Sequence, residues 1–98
     1  MYTLEKIKDI VKTHERAIKN NFKVKRIGIF GSYVRGEQTK KSDLDILVDF
    51  SRSVGLFNFV RLKDYLSDIL NHEVDLVQKG AMKPHIEKHA LKGMIKIL

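Results

Sequence analysis

Ser42-Asp43-Leu44-Asp45-Ile46-Leu47-Val48-Asp49-Phe50 sets Leu44, Ile46, Val48 and Phe50 against Asp43, Asp45, Leu47 and Asp49 with a period of two. Successive side chains of an extended backbone point to opposite faces, so this stretch is a strand with one apolar face and one rich in carboxylates. Asp43 and Asp45 then share a face, their side chains about 7 Å apart along the strand. Two carboxylates so close repel each other unless a cation lies between them. A lone Asp-x-Asp also fits a charged edge strand or a turn cap at Ser42-Asp43.

Upstream, Val24-Lys25-Arg26-Ile27-Gly28-Ile29-Phe30 is short, rich in β-branched residues and closed by Gly31, which predicts another strand. Ser32 to Glu37 then reads as a single helical turn entered directly from that strand. Backbone N–H groups at Gly31-Ser32 point outward there, an anion site in the making. Gly31 permits close approach of a phosphate and Ser32 adds a hydroxyl donor. No Gly-Lys-Ser/Thr follows, so this is not a P-loop. With phosphates nearby, hard oxygen ligands and no cysteine, the cation that suits Asp43 and Asp45 is Mg²⁺ or Mn²⁺. Further upstream, Leu4, Ile7, Val11, His14 and Ile18 recur at helical spacing behind a Thr3 cap, predicting one helix over Thr3–Asn20.

Downstream, Phe59, Leu62, Leu66, Ile69 and Leu70 predict a helix over Leu56–Asn71. Glu73–Val77 reads as a third strand, with Asp75 opposite Val74 and Leu76. Side by side, the second and third strands bring Asp43, Asp45 and Asp75 together. Pro84 opens a last helix reaching about Leu91, and Met94–Leu98 can form a short terminal strand. The predicted order is α-β-α-β-α-β-α, an α/β (α+β) fold with helices packed on a small mixed sheet.

The length of 98 residues fits one domain spanning 1–98, without a second core. With 43% hydrophobic and 32% charged residues the composition is globular, and the absence of cysteine excludes disulfides and thiolate metal sites. No apolar run approaches the roughly 18 residues of a membrane span, and Met1–Val11 lacks a secretory apolar region. The expected location is the cytoplasm, with no membrane partner. Residues 1–41 hold 11 Lys and Arg against 4 Asp and Glu, while residues 42–98 hold 8 of each, so the net charge of +7 is all N-terminal. That asymmetry suits an acidic partner or phosphates, and equally a solvated lysine-rich face. His85 and His89 have metal-ligand spacing but no third ligand nearby in sequence, His14 falls in an apolar stripe, and His72 belongs to a turn. Phe57, Phe59, Tyr65 and Tyr33 form no aromatic ladder, so single-stranded nucleic acid is poorly supported as a ligand.

Gly31-Ser32, the turn through Arg35-Gly36-Glu37, Ser42-Asp43-Leu44-Asp45 ten residues after Ser32, and Val74-Asp75-Leu76 resemble the minimal nucleotidyltransferases of the polymerase-beta superfamily. The likeness is to the antitoxins paired with HEPN-domain ribonuclease toxins, and it runs from about Lys25 to Pro84. It implies a polymerase-beta palm-like fold and transfer of AMP from ATP to a tyrosine hydroxyl of an all-helical toxin encoded next door. By the same resemblance Gly31, Ser32, Arg35 and Ser42 bind the nucleotide. Asp43, Asp45 and Asp75 are catalytic and hold two Mg²⁺ ions. Arg35 fits pyrophosphate as well as it fits a surface ion pair with Glu37 or an acid of the second strand. Two other functions stay open: an ATP-binding antitoxin that masks its toxin without turnover, and a basic nucleic-acid-binding domain.

Overall fold

Thr3 caps the first helix, its hydroxyl oxygen accepting the Lys6 N–H at 3.2 Å and satisfying one donor that a helix start leaves open. The structure, a computed structural model, describes residues 3–36 and 43–98. The single helix expected over Thr3–Asn20 is two: α1 (Leu4–Thr13) and α2 (Glu15–Phe22), meeting at His14. The apolar stripe continues through the break, with Ile7, Val11, Ile18 and Phe22 all buried, so periodicity gives no sign of it. Thr13 Oγ1 donates to the Asp9 carbonyl and His14 Nδ1 to the Ile10 carbonyl, each at 2.8 Å. Such bonds back to the preceding turn compete with the helix ladder and bend it.

There follow β1 (Val24–Phe30), α3 (Ser32–Arg35), β2 (Leu44–Phe50), α4 (Leu56–Leu70), β3 (Val74–Gln78), α5 (Pro84–Lys92) and β4 (Ile95–Lys96). The sheet order is β3-β2-β1-β4. β1 is antiparallel to both β2 and β4, whereas β2 and β3 run parallel and are joined by the α4 crossover that parallel pairing requires. The predicted mixed sheet is therefore present, and its terminal strand is tied down by Ile97 and Leu98 N–H groups donating to the Ile27 carbonyl at 2.8 and 3.1 Å.

Alternation along β2 separates the two faces. Leu44, Ile46 and Val48 are fully buried beside Ile27, Ile29, Val74 and Leu76, under Leu62, Leu66 and Leu70 of α4 and the inner stripe of α1 and α2. Each such side chain contributes about 1.5–3 kcal/mol by leaving water. Asp45, Leu47 and Asp49 point to the other face, where, among the described residues, α5 and Met94 provide cover. Leu47 is buried there, sharing a small cavity with Leu91 and Met94, so that face is carboxylate-rich only at its two ends. Among the described residues no helix is long and apolar enough to cross a membrane.

Candidate active site

Phe30, Asp45 and Asp75 form one row across β1, β2 and β3, because Phe30 is the register partner of Asp45 and Asp45 that of Asp75. Neighbouring strands lie about 4.8 Å apart, so the two carboxylates stand side by side on the thinly covered face. The predicted meeting of the second and third strands thus occurs, in parallel register. Asp75 is exposed and Asp45 half-buried, and Asp43 is exposed one residue ahead of β2. The Leu44 N–H donates to the Glu73 carbonyl at 2.9 Å, fastening the starts of β2 and β3 together beside the acids.

Gly31 closes β1 with φ +80°, a conformation L side chains rarely adopt. A Cβ added there would collide with the Asp45 carboxylate and lie 2.9 Å from its Cγ. The turn backbone and the acid are therefore in direct contact, and glycine is what permits it. The expected helical turn follows as α3, with the Val34 N–H donating to the Gly31 carbonyl at 3.1 Å. Tyr33 of α3 is buried, hydrogen-bonded through its hydroxyl to His72 Nε2 at 3.2 Å, with the two rings edge to face. Burial pushes the Tyr33 phenol above its ordinary pKa. Since His72 lies in the turn before β3, this pair ties the Gly31 turn to the strand that carries Asp75.

A cleft of about 550 Å³ opens between this end of the sheet and α5, within the range of small-molecule sites. Phe30, Gly31, Val34 and Asp45 line one side; Met82, Ile86, His89 and Lys92 line the other. Asp45 stands at its edge, with the cleft toward β1 and exposed Asp75 on the β3 side. Of the predicted residues, Gly31, Asp45 and Asp75 come together at this end of the sheet, while Asp43 lies one residue ahead of β2 and does not converge with both other acids on one point. The side chains of Ser32 and Arg35, and Glu37 and Ser42 altogether, lie outside the described residues. His89 and Lys92 were not expected at the site. Their signal was the α5 stripe Ile86, His89, Ala90 and Gly93 at helical spacing, which could have been read as a face turned to the cleft. His14, half-buried, packs edge-on against Tyr65 at 6.0 Å.

The donors present suit a hard divalent cation. They are carboxylate oxygens, two of them on one row, against a glycine cradle with no space for a Cβ. Among the described residues no three His, Asp or Glu side chains converge on one point. That openness fits Mg²⁺, which keeps waters and is completed by substrate phosphates rather than by a protein cage.

The chain is similar to known proteins over nearly its whole length. The chain matches the nucleotidyltransferase domain family over residues 4–97. A candidate protein adenylyltransferase of Methanocaldococcus jannaschii is 51% identical over 96 residues, covering 97% of this chain and 98% of the relative. The protein adenylyltransferase MntA of Thermococcus cleftensis is 44% identical over 95 residues, covering 97% and 96%. A solved structure described as a candidate minimal nucleotidyltransferase superposes with a TM-score of 0.73 at 30% identity, over 93% of this chain and 88% of that one. A chain from the complex of the tri-AMPylated Shewanella oneidensis HEPN toxin with its MNT antitoxin shares the fold, with a TM-score of 0.70 at 19% identity over 96% and 71%.

Proposed function

The chain belongs to the nucleotidyltransferase family, and on that premise we propose that it transfers AMP from ATP to a tyrosine hydroxyl of a cognate HEPN ribonuclease toxin, acting as the antitoxin. The observation that carries this reading is the position of Asp45, between a nucleotide-sized cleft and the exposed Asp75. A nucleotide in the cleft would lay its triphosphate along Gly31 and Ser32, with Ser42 and Arg35 as its further binding residues. The acceptor would arrive from the open β3 side. Its hydroxyl oxygen attacks the α-phosphorus, the bond to the β-phosphate oxygen breaks, and pyrophosphate leaves. Asp75, on the acceptor side, takes the hydroxyl proton. Asp43, Asp45 and Asp75 are the residues that would hold two Mg²⁺ ions, which when bound supply charge neutralisation at the attacking and leaving oxygens.

The exposed acceptor side favours a folded protein over a small molecule, since none of the described residues there encloses a second substrate. Leu56 and Phe57 are 77% and 79% exposed at the start of α4, an apolar face that also suits masking of a toxin without turnover. The Asp43→Asn/Asp45→Asn double variant separates the two: neutralisation by transfer is lost with it, and neutralisation by masking survives. Incubation of the chain and its partner with ATP and Mg²⁺, followed by intact mass measurement of both, tests the reading.

A further inference from the structure

Whatever enters the cleft meets a wall on α5 whose character changes along its length. Met82, just before the helix, and Ile86 in its first turns are apolar, whereas His89 and Lys92 near its end are polar and exposed. Ile86 and Lys92 are six residues apart, about 9 Å along the axis. The polar end is the one that reaches the Gly31 turn, since a Cβ on Gly93 would lie in contact with Val34 of α3, 3.9 Å from its Cγ1. A nucleoside triphosphate has the same asymmetry, an apolar planar base at one end and a strongly anionic tail at the other. Asp45 adds negative charge to the cleft, and Lys92 is the one Lys or Arg among the described residues lining it. The last turn of a helix carries partial negative charge, which His89 and Lys92 also offset.

We propose that α5 sets the direction in which the nucleotide lies, with Lys92 and His89 binding its triphosphate and the Met82–Ile86 end receiving its base. This rests on the nucleotidyltransferase reading above and adds to it a second binding wall beyond the Gly31 turn and the β2 acids. α5 is suited to respond to its ligand. It buries none of its own residues, and its Lys83 cap makes no side-chain hydrogen bond. Besides its ends, it is held by Glu87, whose Oε1 accepts the Gly80 N–H at 2.8 Å.

The test is calorimetric titration of the full chain, in Mg²⁺, with ATP and separately with inorganic tripolyphosphate, which has the tail and no base. Lys92→Gln weakens both ligands about tenfold, as loss of a contact to a charged group does. Ile86→Asn weakens ATP about fivefold and leaves tripolyphosphate within about twofold, since only a base can lose apolar contact there. Lys88→Gln, on the same helix but off the cleft, changes neither. All three substituted side chains are exposed, and circular dichroism verifies that the fold is kept. ATP and tripolyphosphate binding unchanged in Lys92→Gln, or weakened equally in Ile86→Asn, overturns the proposed direction while leaving transfer by the wild-type chain intact. A wild-type chain that binds neither ligand overturns the nucleotidyltransferase reading, and this inference with it.

Discussion

Gly31 and Asp45 are in contact through the one position where a side chain on the former would displace the carboxylate of the latter. This contact makes the turn after β1 and the acid of β2 a single unit, so a change in either is felt by both. It also separates two effects that a glycine substitution usually mixes, strain and collision.

Gly31→Ala therefore costs more stability than Gly36→Ala. Gly36 has φ +71° but none of the described residues within 4 Å of its Cβ position, so alanine there costs about 1 kcal/mol of backbone strain alone. At Gly31 the same strain is joined by displacement of Asp45. Urea denaturation of the two variants should show the larger loss at Gly31, and ATP titration a loss of binding there only. Equal stability losses with ATP binding kept in both would contradict the contact.

Asp45 and Asp75 should fail in different ways. Asp45→Asn removes the carboxylate at the cleft and should lose both ATP binding and transfer. Asp75→Asn should retain most ATP binding and lower transfer by about 100-fold or more, the scale of a missing proton acceptor. Relief of like-charge repulsion should leave the Asp75→Asn chain about 0.2–1 kcal/mol more stable without nucleotide. Wild-type transfer by Asp75→Asn would move the proton-accepting role elsewhere, with Asp49 the next acid along β2.

Tyr33 ties stability to alkaline pH. Its phenol is raised above its ordinary value near 10, so the folded chain holds this proton more tightly than the unfolded chain does. The corresponding stability is complete below pH 10 and is lost as pH rises through the folded value. Tyr33→Phe should cost about 1 kcal/mol at neutral pH through the lost bond to His72, and should flatten the decline above pH 10. Denaturation midpoints of both chains at pH 8 and pH 11 check this. A wild-type midpoint that declines no more than that of the variant would remove Tyr33 as the cause.

Much of this site was readable because strand alternation is local. Asp45 and Asp49 fall on the face that the period of two assigns them, and Asp75 on the matching face of β3. In sequence the side-by-side pairing of the second and third strands is a conjecture, and the parallel register that places Asp45 beside Asp75 depends on how α4 returns the chain to the sheet. The break at His14 was invisible, because Ile7, Val11, Ile18 and Phe22 keep the same stripe buried on both sides of it while the cause lies in two side-chain hydrogen bonds. In sequence His89 stands out only for its spacing from His85, and Lys92 not at all, because the feature that makes them a wall is the distant Gly31 turn, 58 residues before His89 in the chain. Burial of Leu47 among carboxylates likewise depends on Leu91 of α5 and on Met94 just before β4, both more than 40 residues later in the chain.

The central claim is tested most directly by mixing this chain with the proposed HEPN toxin partner, ATP and Mg²⁺, and determining the intact mass of both with and without excess RNA. The account predicts AMP on a tyrosine of the partner, unaffected by RNA, absent when Mg²⁺ is chelated and absent with the Asp43→Asn/Asp45→Asn variant. AMP found only on nucleic-acid 3′ ends, or transfer undiminished in that variant, would contradict it.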